Sequence, residues 1–391
     1  METQPLSVAI PALDELDALP HTLDDLVRQS YRNFKVFVCV NQPDAWWDDG
    51  CADHLEVCRH NAMLLEMLDD YRSQLDLTVL DCSSPSKGWQ GKRQGVGWAR
   101  KQLFDSILEM DCTGESLLVS LDADTRVDAG YLGRLVRTFE CDKTLSALAV
   151  PYYHRLLGEE KSDRLLLRYE CYMRHYLLQM LRIENPYAFT AIGSAMAFTA
   201  RAYRRVGGIT PLQGGEDFYL MQKFAKTGRV GLRLMADDGG SDDTVAVFPS
   251  GRTSRRVPFG TGPAVSMCLA QQAAHYPFFS PAGFDAVAET YDLFPALYEQ
   301  DVATPMTVFL QRQLSTDDIW GPLRRNHTTR QRFVHACAER IDGLRILQYL
   351  RSRPDGVMAD TVVADFENAS VSELDAVRNG LFRKEMSLRQ Q

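Results

Sequence analysis

Two hydrophobic periods alternate along the first 150 residues of the chain. Ser7-Val8-Ala9-Ile10 is a short apolar run stopped by Pro11, the length of a buried strand. Leu16, Leu19, Leu23, Leu26 and Val27 then recur at helical spacing, with acids early and Arg28 late, the order a helix dipole favours. Val36-Phe37-Val38-Cys39-Val40 repeats the strand signature, Leu55 to Leu75 is mostly helical, and Leu77-Thr78-Val79-Leu80 makes a third strand. Val96, Ala99, Leu103 and Ile107 mark another helix face. Leu117-Leu118-Val119-Ser120-Leu121 is a fourth strand, running straight into Asp122-Ala123-Asp124. Strands and helices in this order predict an α/β fold: a mostly parallel sheet flanked by helices, which takes ligands at the carboxyl ends of its strands.

Beyond Val150 the pattern changes. Residues 162–183, rich in Leu, Tyr, Met and Arg, predict one long helix. A Gly-punctuated stretch runs from Ile192 to Gly240, a Pro/Gly/Arg loop from Pro249 to Pro263, and from about 264 onward the pattern is mainly helical. Ser370-Val371-Ser372-Glu373 has capping-box spacing before a last helix through Leu374, Val377 and Leu381.

Composition narrows the classes. A chain of 391 residues suits two to three domains, and 45% hydrophobic with 24% charged residues excludes a disordered or collagen-like chain. The formal net charge of −9 gives no global attraction to nucleic acid or anionic lipid, so no nucleic-acid partner is expected. No window approaches the run of about 18 apolar residues that spans a membrane. The N-terminus lacks the basic and apolar regions of a signal peptide. The nine cysteines are scattered without a CxxC pair, which speaks against structural zinc or a disulfide framework and for free thiols in a reducing, cytoplasmic setting.

Four segments carry candidate chemistry. Asp122 and Asp124 follow a buried strand where the chain turns, so both carboxylates can converge on one hard cation completed by water and phosphate oxygens; capping of the next helix is the alternative. Gly214-Gly215-Glu216-Asp217 opens an amphipathic helix, and a carboxylate there either serves as general base or only favours the helix dipole. The stretch from Lys87 to Lys101 combines five cations with glycines at 88, 91, 95 and 97, a composition for phosphate contact, or else a solvated helix face. Arg252-Thr253-Ser254-Arg255-Arg256 offers loop cations that could close over a diphosphate. Together these describe a site for a nucleotide diphosphate.

Residues 7–260 resemble a family 2 glycosyltransferase of the GT-A fold. Val8-Ala9-Ile10-Pro11-Ala12-Leu13-Asp14-Glu15 is similar to the family's V-I-P-x-x-N-E opening. Gly95-Val96-Gly97-Trp98-Ala99-Arg100 resembles its N-x-G-x-x-x-A-R-N-x-G segment, with Lys101 where Asn is usual and Leu103 where Gly is usual. Asp122-Ala123-Asp124 matches its D-x-D. Ala191 to Met196 followed by Arg204-Arg205-Val206-Gly207-Gly208-Ile209 looks like its glycine-rich stretch before E-D, which Glu216-Asp217 matches.

The resemblance implies an inverting, nucleotide-sugar-dependent transferase. Asp122 and Asp124 would hold Mg²⁺ or Mn²⁺, and Asp217 would deprotonate an acceptor hydroxyl on a glycan or lipid-linked glycan. Pro11, Leu13, Glu15, Asn41, Lys92, Gly95, Arg100, Glu216, Arg255 and Arg256 would contact the donor beside the two aspartates. Asn41-Gln42-Pro43-Asp44 departs from the family's usual Asp-Asp-Gly-Ser, which leaves the base open. Asp242, Asp243 and His275 are candidates for a third metal ligand. The implied organisation is a transferase domain over 1–263, with a nucleotide-binding half 1–125 and an acceptor half 126–263. A mainly helical region 264–391 follows, which would cover the acceptor side or make an oligomer. The Arg- and Tyr-rich face of 162–183 suits peripheral contact at the inner face of a membrane, core packing or a subunit contact.

Two rival readings share parts of this pattern. Asp122-Ala123-Asp124-Thr125 also fits the D-x-D-x-T of haloacid-dehalogenase-like phosphatases, with Asp122 as nucleophile and Asp237-Asp238 as a late acidic motif. A catalytically inactive nucleotide-sugar-binding module would use the same residues without turnover.

Overall fold

The four apolar runs become neighbouring parallel strands. In the computed structural model, which describes residues 5–110, 114, 116–236, 245–254, 260–353 and 356–389, they are β1 (Leu6–Ala12), β2 (Phe34–Asn41), β3 (Leu77–Cys82) and β4 (Leu117–Ser120). They lie in the order β3-β2-β1-β4. The connecting helices are α1 (Leu19–Val27), α2 (Ala52–Tyr71) and α3 (Val96–Met110), each where the helical period was expected. Val8, Ala9, Ile10, Val36, Val38 and Val119 are fully buried, so the runs are continuous because both faces of the sheet are covered.

Further along, β5 (Arg126–Val127), α4 (Tyr131–Cys141), β6 (Leu145–Ala149), α5 (Glu160–Arg182), β7 (Met196–Thr199), α6 (Ala200–Arg205), α7 (Glu216–Thr227), β8 (Arg229–Gly231) and β9 (Val247–Phe248) follow. The sheet is seven-stranded, ordered β3-β2-β1-β4-β7-β6-β8, with β7 antiparallel to both neighbours; β5 and β9 form a separate antiparallel ribbon. The chain leaves β1 toward β2 and returns on its other side as β4. This reversal opens a crevice at the carboxyl ends of β1 and β4, into which residues 13–15 and 122–125 emerge.

The chain divides into two compact units. One comprises Met1–Leu166, Thr190–Met267 and Arg389–Gln391, the other Leu167–Phe189 and Cys268–Leu388. The second is mainly helical. Its buried polar centre is built by Arg174 of α5, which donates from Nε to Glu170 Oε1 at 3.0 Å and also pairs with Glu385 of the last helix, Val371–Arg389. Arg378 reaches the other oxygen of Glu170 at 3.2 Å. Arg168 holds Asp360 with two bonds of 2.7 and 2.9 Å. The capping box is present: Ser370 N donates to Glu373 Oε2 at 2.8 Å, and Glu373 N donates back to Ser370 Oγ at 3.2 Å.

The helix expected over 162–183 is α5, but its apolar face is not offered to a membrane. Leu165, Leu166, Arg168, Tyr169, Tyr172, Arg174 and Leu177 are all buried inside the protein. The core alternative holds because each buried arginine finds a carboxylate. Among the described residues no helix is long and apolar enough to cross a membrane.

Arg174→Ala would strip a cation from between two buried carboxylates. It is expected to lower stability by about 3–5 kcal/mol in urea unfolding, and a loss below about 1 kcal/mol would contradict this reading of the helical unit.

Candidate active site

The turn after β4 is fixed by contacts to its own backbone. Leu121 N donates to Ala9 O at 3.1 Å, so the end of β4 stays registered on β1. The chain then turns, with Thr125 N donating to Asp122 O at 3.1 Å. The Thr22 hydroxyl of α1 sits 2.8 Å from Ala123 O and 3.0 Å from Thr125 O. Ala123 is buried, and Asp122 and Asp124 flank it with side chains 37% and 21% exposed.

Arg100 is the centre of the site. It projects from α3, is 4% exposed, and donates to Asp122 Oδ1 through one terminal nitrogen and to Glu216 Oε1 through the other. Glu216 is the first residue of α7 and is itself buried. Burial disfavours the charge on Arg100, but the carboxylates of Asp122, Glu216 and Asp217 outweigh it and hold the guanidinium above its usual range. Two glycines make the approach possible. A Cβ on Gly193 would collide with the Arg100 guanidinium, and one on Gly97 would run into the backbone of Leu212, just before α7.

Asp217 follows Glu216 and is half-buried, its Oδ1 accepting from Phe218 N at 2.7 Å. Burial pushes its carboxyl up to about 7; the Glu216 and Asp122 charges add to this, and Arg100 opposes it. Asp122 is likewise raised, first by burial and then by the Asp124 and Glu216 charges, with Arg100 opposing. A carboxyl held near neutrality can exchange a proton at physiological pH, which is what a general base requires.

Asp124 has a different partner. Arg252 Nε lies 2.7 Å from Asp124 Oδ2, and the same guanidinium donates to Glu15 Oε1 at the end of the β1 loop. The two aspartates thus share one turn but face separate cations. Among the described residues no group of three or more His, Cys, Asp or Glu is placed to hold a metal. Two oxygen-donor carboxylates beside a cation-filled position fit a hard divalent ion that completes its shell with phosphate and water.

The remaining expected residues fall in several places. Pro11 is buried in β1 opposite Cys39, and Leu13 is half-buried just beyond the strand. Asn41 is buried and its amide is committed: Nδ2 donates to Ala12 O at 2.9 Å, and Oδ1 accepts from Trp89 Nε1 at 3.1 Å. Gln42 is equally engaged, with Cys58 and Asn61. Gly95 takes φ +90° at the entrance to α3, and Lys92 is exposed in the preceding turn. Within the basic stretch Lys87 pairs with Asp81 at 2.9 Å and Lys101 with Asp105 at 2.6 Å. His275 is exposed in the helical unit, its Nδ1 2.9 Å from Gln271 O. Arg255, Arg256, Asp237, Asp238, Asp242 and Asp243 lie outside the described residues.

Sequence reasoning missed Thr22, and it missed Gly193 as the seat of Arg100. It named Arg252 only within a basic cluster. No local pattern marks Thr22, whereas Arg100 carries a signal in its spacing: four residues after Val96 and three before Leu103, it lies on the apolar face of α3.

Residues 4–230 match the family model described as "Glycosyltransferase like family 2". The chain belongs to this family and is a glycosyltransferase of the GT-A fold class. Among solved structures it is similar to TarS 1–349 of S. aureus in complex with UDP-GlcNAc, at 13% identity and TM-score 0.42, over 99% of this chain and 89% of that one. It is also similar to the mannosyltransferase PcManGT from Pyrobaculum calidifontis in complex with GDP-Man and Mn²⁺, at 14% identity and TM-score 0.38, over 98% and 84% of the two chains. A comparison with curated proteins gives no match.

Gly193→Ala is expected to push the guanidinium off its two carboxylates and to cost about 1–3 kcal/mol in urea unfolding. Full stability in that variant would contradict the fit of Arg100 described above.

Proposed function

We propose that the protein transfers a sugar from a nucleoside-diphosphate sugar to a hydroxyl acceptor with inversion at the anomeric carbon, and that Asp217 is the general base. One observation carries the reading. Arg100 and Glu216 tie the helix start that bears Asp217 to the turn that bears Asp122, at the carboxyl edge of parallel strands. Family membership supports the donor class, and the raised Asp217 carboxyl supports the base.

In this reading the donor diphosphate enters the crevice between the β1 loop (Pro11, Leu13, Glu15) and the Asp122–Asp124 turn. Asp122 and Asp124 are the groups that would hold Mg²⁺ or Mn²⁺, which when bound supplies charge stabilisation to the departing diphosphate. Lys92, Gly95 and the loop cations Arg252, Arg255 and Arg256 are assigned to the phosphates. Asn41 is assigned an indirect part, shaping the base side by holding Trp89. Asp217 accepts the acceptor proton while the acceptor oxygen bonds the anomeric carbon and the bond to the diphosphate breaks on the opposite face. Arg100 is a positioning residue: it neutralises Asp122 and Glu216 and keeps the Asp217 carboxyl from rising further. The chemistry is assigned to residues 1–263. The region 264–391 is assigned to the acceptor side or to self-association. The free thiols, eight among the described cysteines, fit a reducing compartment.

The phosphatase alternative loses support to the glycosyltransferase family match over residues 4–230. A binding module without turnover predicts donor binding that no acceptor converts to product.

Asp217→Asn is expected to keep nucleotide-induced thermal stabilisation and to lose about 10²–10⁴-fold in transfer rate. Unchanged turnover would refute the base assignment. The wild-type rate is expected to rise with pH through about 7, because the carboxyl must be ionised to accept the proton. Arg100→Gln, which removes the opposing positive charge, is expected to move that limb upward. A rate flat from about pH 5.5 to 8.5 in the wild type would contradict the assignment.

A further inference from the structure

Arg252 does not reach the crevice by chance. Its loop runs alongside residues 152–155 through bridges of Tyr152 with Val247 and of Arg155 with Ser250. Tyr153 N donates to Val247 O at 3.1 Å, and Arg155 N donates to Pro249 O at 3.3 Å. Immediately before Arg252, Gly251 packs so closely on Leu166 and on the Arg155 carbonyl that a side chain there would clash. Two residues after Arg252, Ser254 is approached by Gly262, on which a Cβ would fall 2.8 Å from the Ser254 nitrogen. The loop is therefore shaped to deliver one guanidinium to two carboxylates, Glu15 from the β1 loop and Asp124 from the β4 turn. The guanidinium thus places a positive charge on the carboxylate that a divalent ion would need.

We propose that Arg252 is a built-in counter-cation, holding Asp124 closed to free metal until an anionic diphosphate draws the guanidinium away. The proposal rests on the reading of Asp122 and Asp124 as the metal-gripping pair. Metal and diphosphate then bind with positive coupling, because each removes what opposes the other: the diphosphate takes the guanidinium, and the freed carboxylate takes the cation.

The test titrates Mn²⁺ alone into the 391-residue chain and reads protein-bound Mn²⁺ by water-proton relaxation. Arg252→Gln is expected to bind Mn²⁺ at least about fivefold more tightly than the wild type, and Asp124→Asn to lose binding. Equal affinity in wild type and Arg252→Gln, with binding lost in Asp124→Asn, overturns the proposal while the metal site stands. Absence of binding in Arg252→Gln overturns both the proposal and the metal-site reading. Circular dichroism checks the fold. Should Arg252→Gln not hold it, Arg252→Lys, whose ammonium cannot bridge two carboxylates in the same way, is titrated instead, and unchanged affinity again overturns the proposal. In the wild type, UDP or GDP is expected to enhance Mn²⁺ uptake more than in Arg252→Gln, and equal enhancement contradicts the coupling.

Discussion

A buried guanidinium is the constraint around which the site is arranged. Removing Arg100 from water costs several kcal/mol unless carboxylates repay it, and here Asp122 and Glu216 do so. Those two residues sit on a strand-end turn and a helix start that are far apart in the chain. Their shared cation fixes the distance between the candidate metal turn and the candidate base. Gly97 and Gly193 follow from the same requirement, since a side chain at either would push the three elements apart. Asp217 inherits its raised carboxyl from this environment: burial and two neighbouring carboxylates act against one opposing cation.

The parallel strands were legible because both faces of the sheet are covered, which turns the apolar runs into continuous blocks. The turn at Asp122–Asp124 and the helix start at Glu216–Asp217 were legible as acids beside strand ends and glycines. Charge partners were not. The basic stretch from Lys87 to Lys101 reads as a phosphate cradle, yet Lys87 and Lys101 pair with nearby acids and Arg100 turns inward. Arg168 and Arg174 suggest a membrane face until Asp360 and Glu385 supply their counter-charges from some two hundred residues away. Asn41 looks open to a nucleobase until Trp89 closes on it. In each case periodicity places the residue on an element, while the partner arrives through tertiary topology that no local window contains.

The two cations of the crevice divide the labour differently. Arg100 is sealed among carboxylates that keep it ionised. Arg252 is about a third exposed, on a loop anchored on its preceding side, and its partners are Glu15 and Asp124.

The central claim is that Arg100 couples the Asp122 turn to the start of α7. A double-mutant cycle of Arg100→Met and Glu216→Gln, read by urea unfolding, tests it most directly. The account predicts that the two changes are non-additive by at least about 1 kcal/mol, the double variant being less destabilised than the sum of the singles. Additivity within about 0.5 kcal/mol would show that the two side chains do not hold the site together.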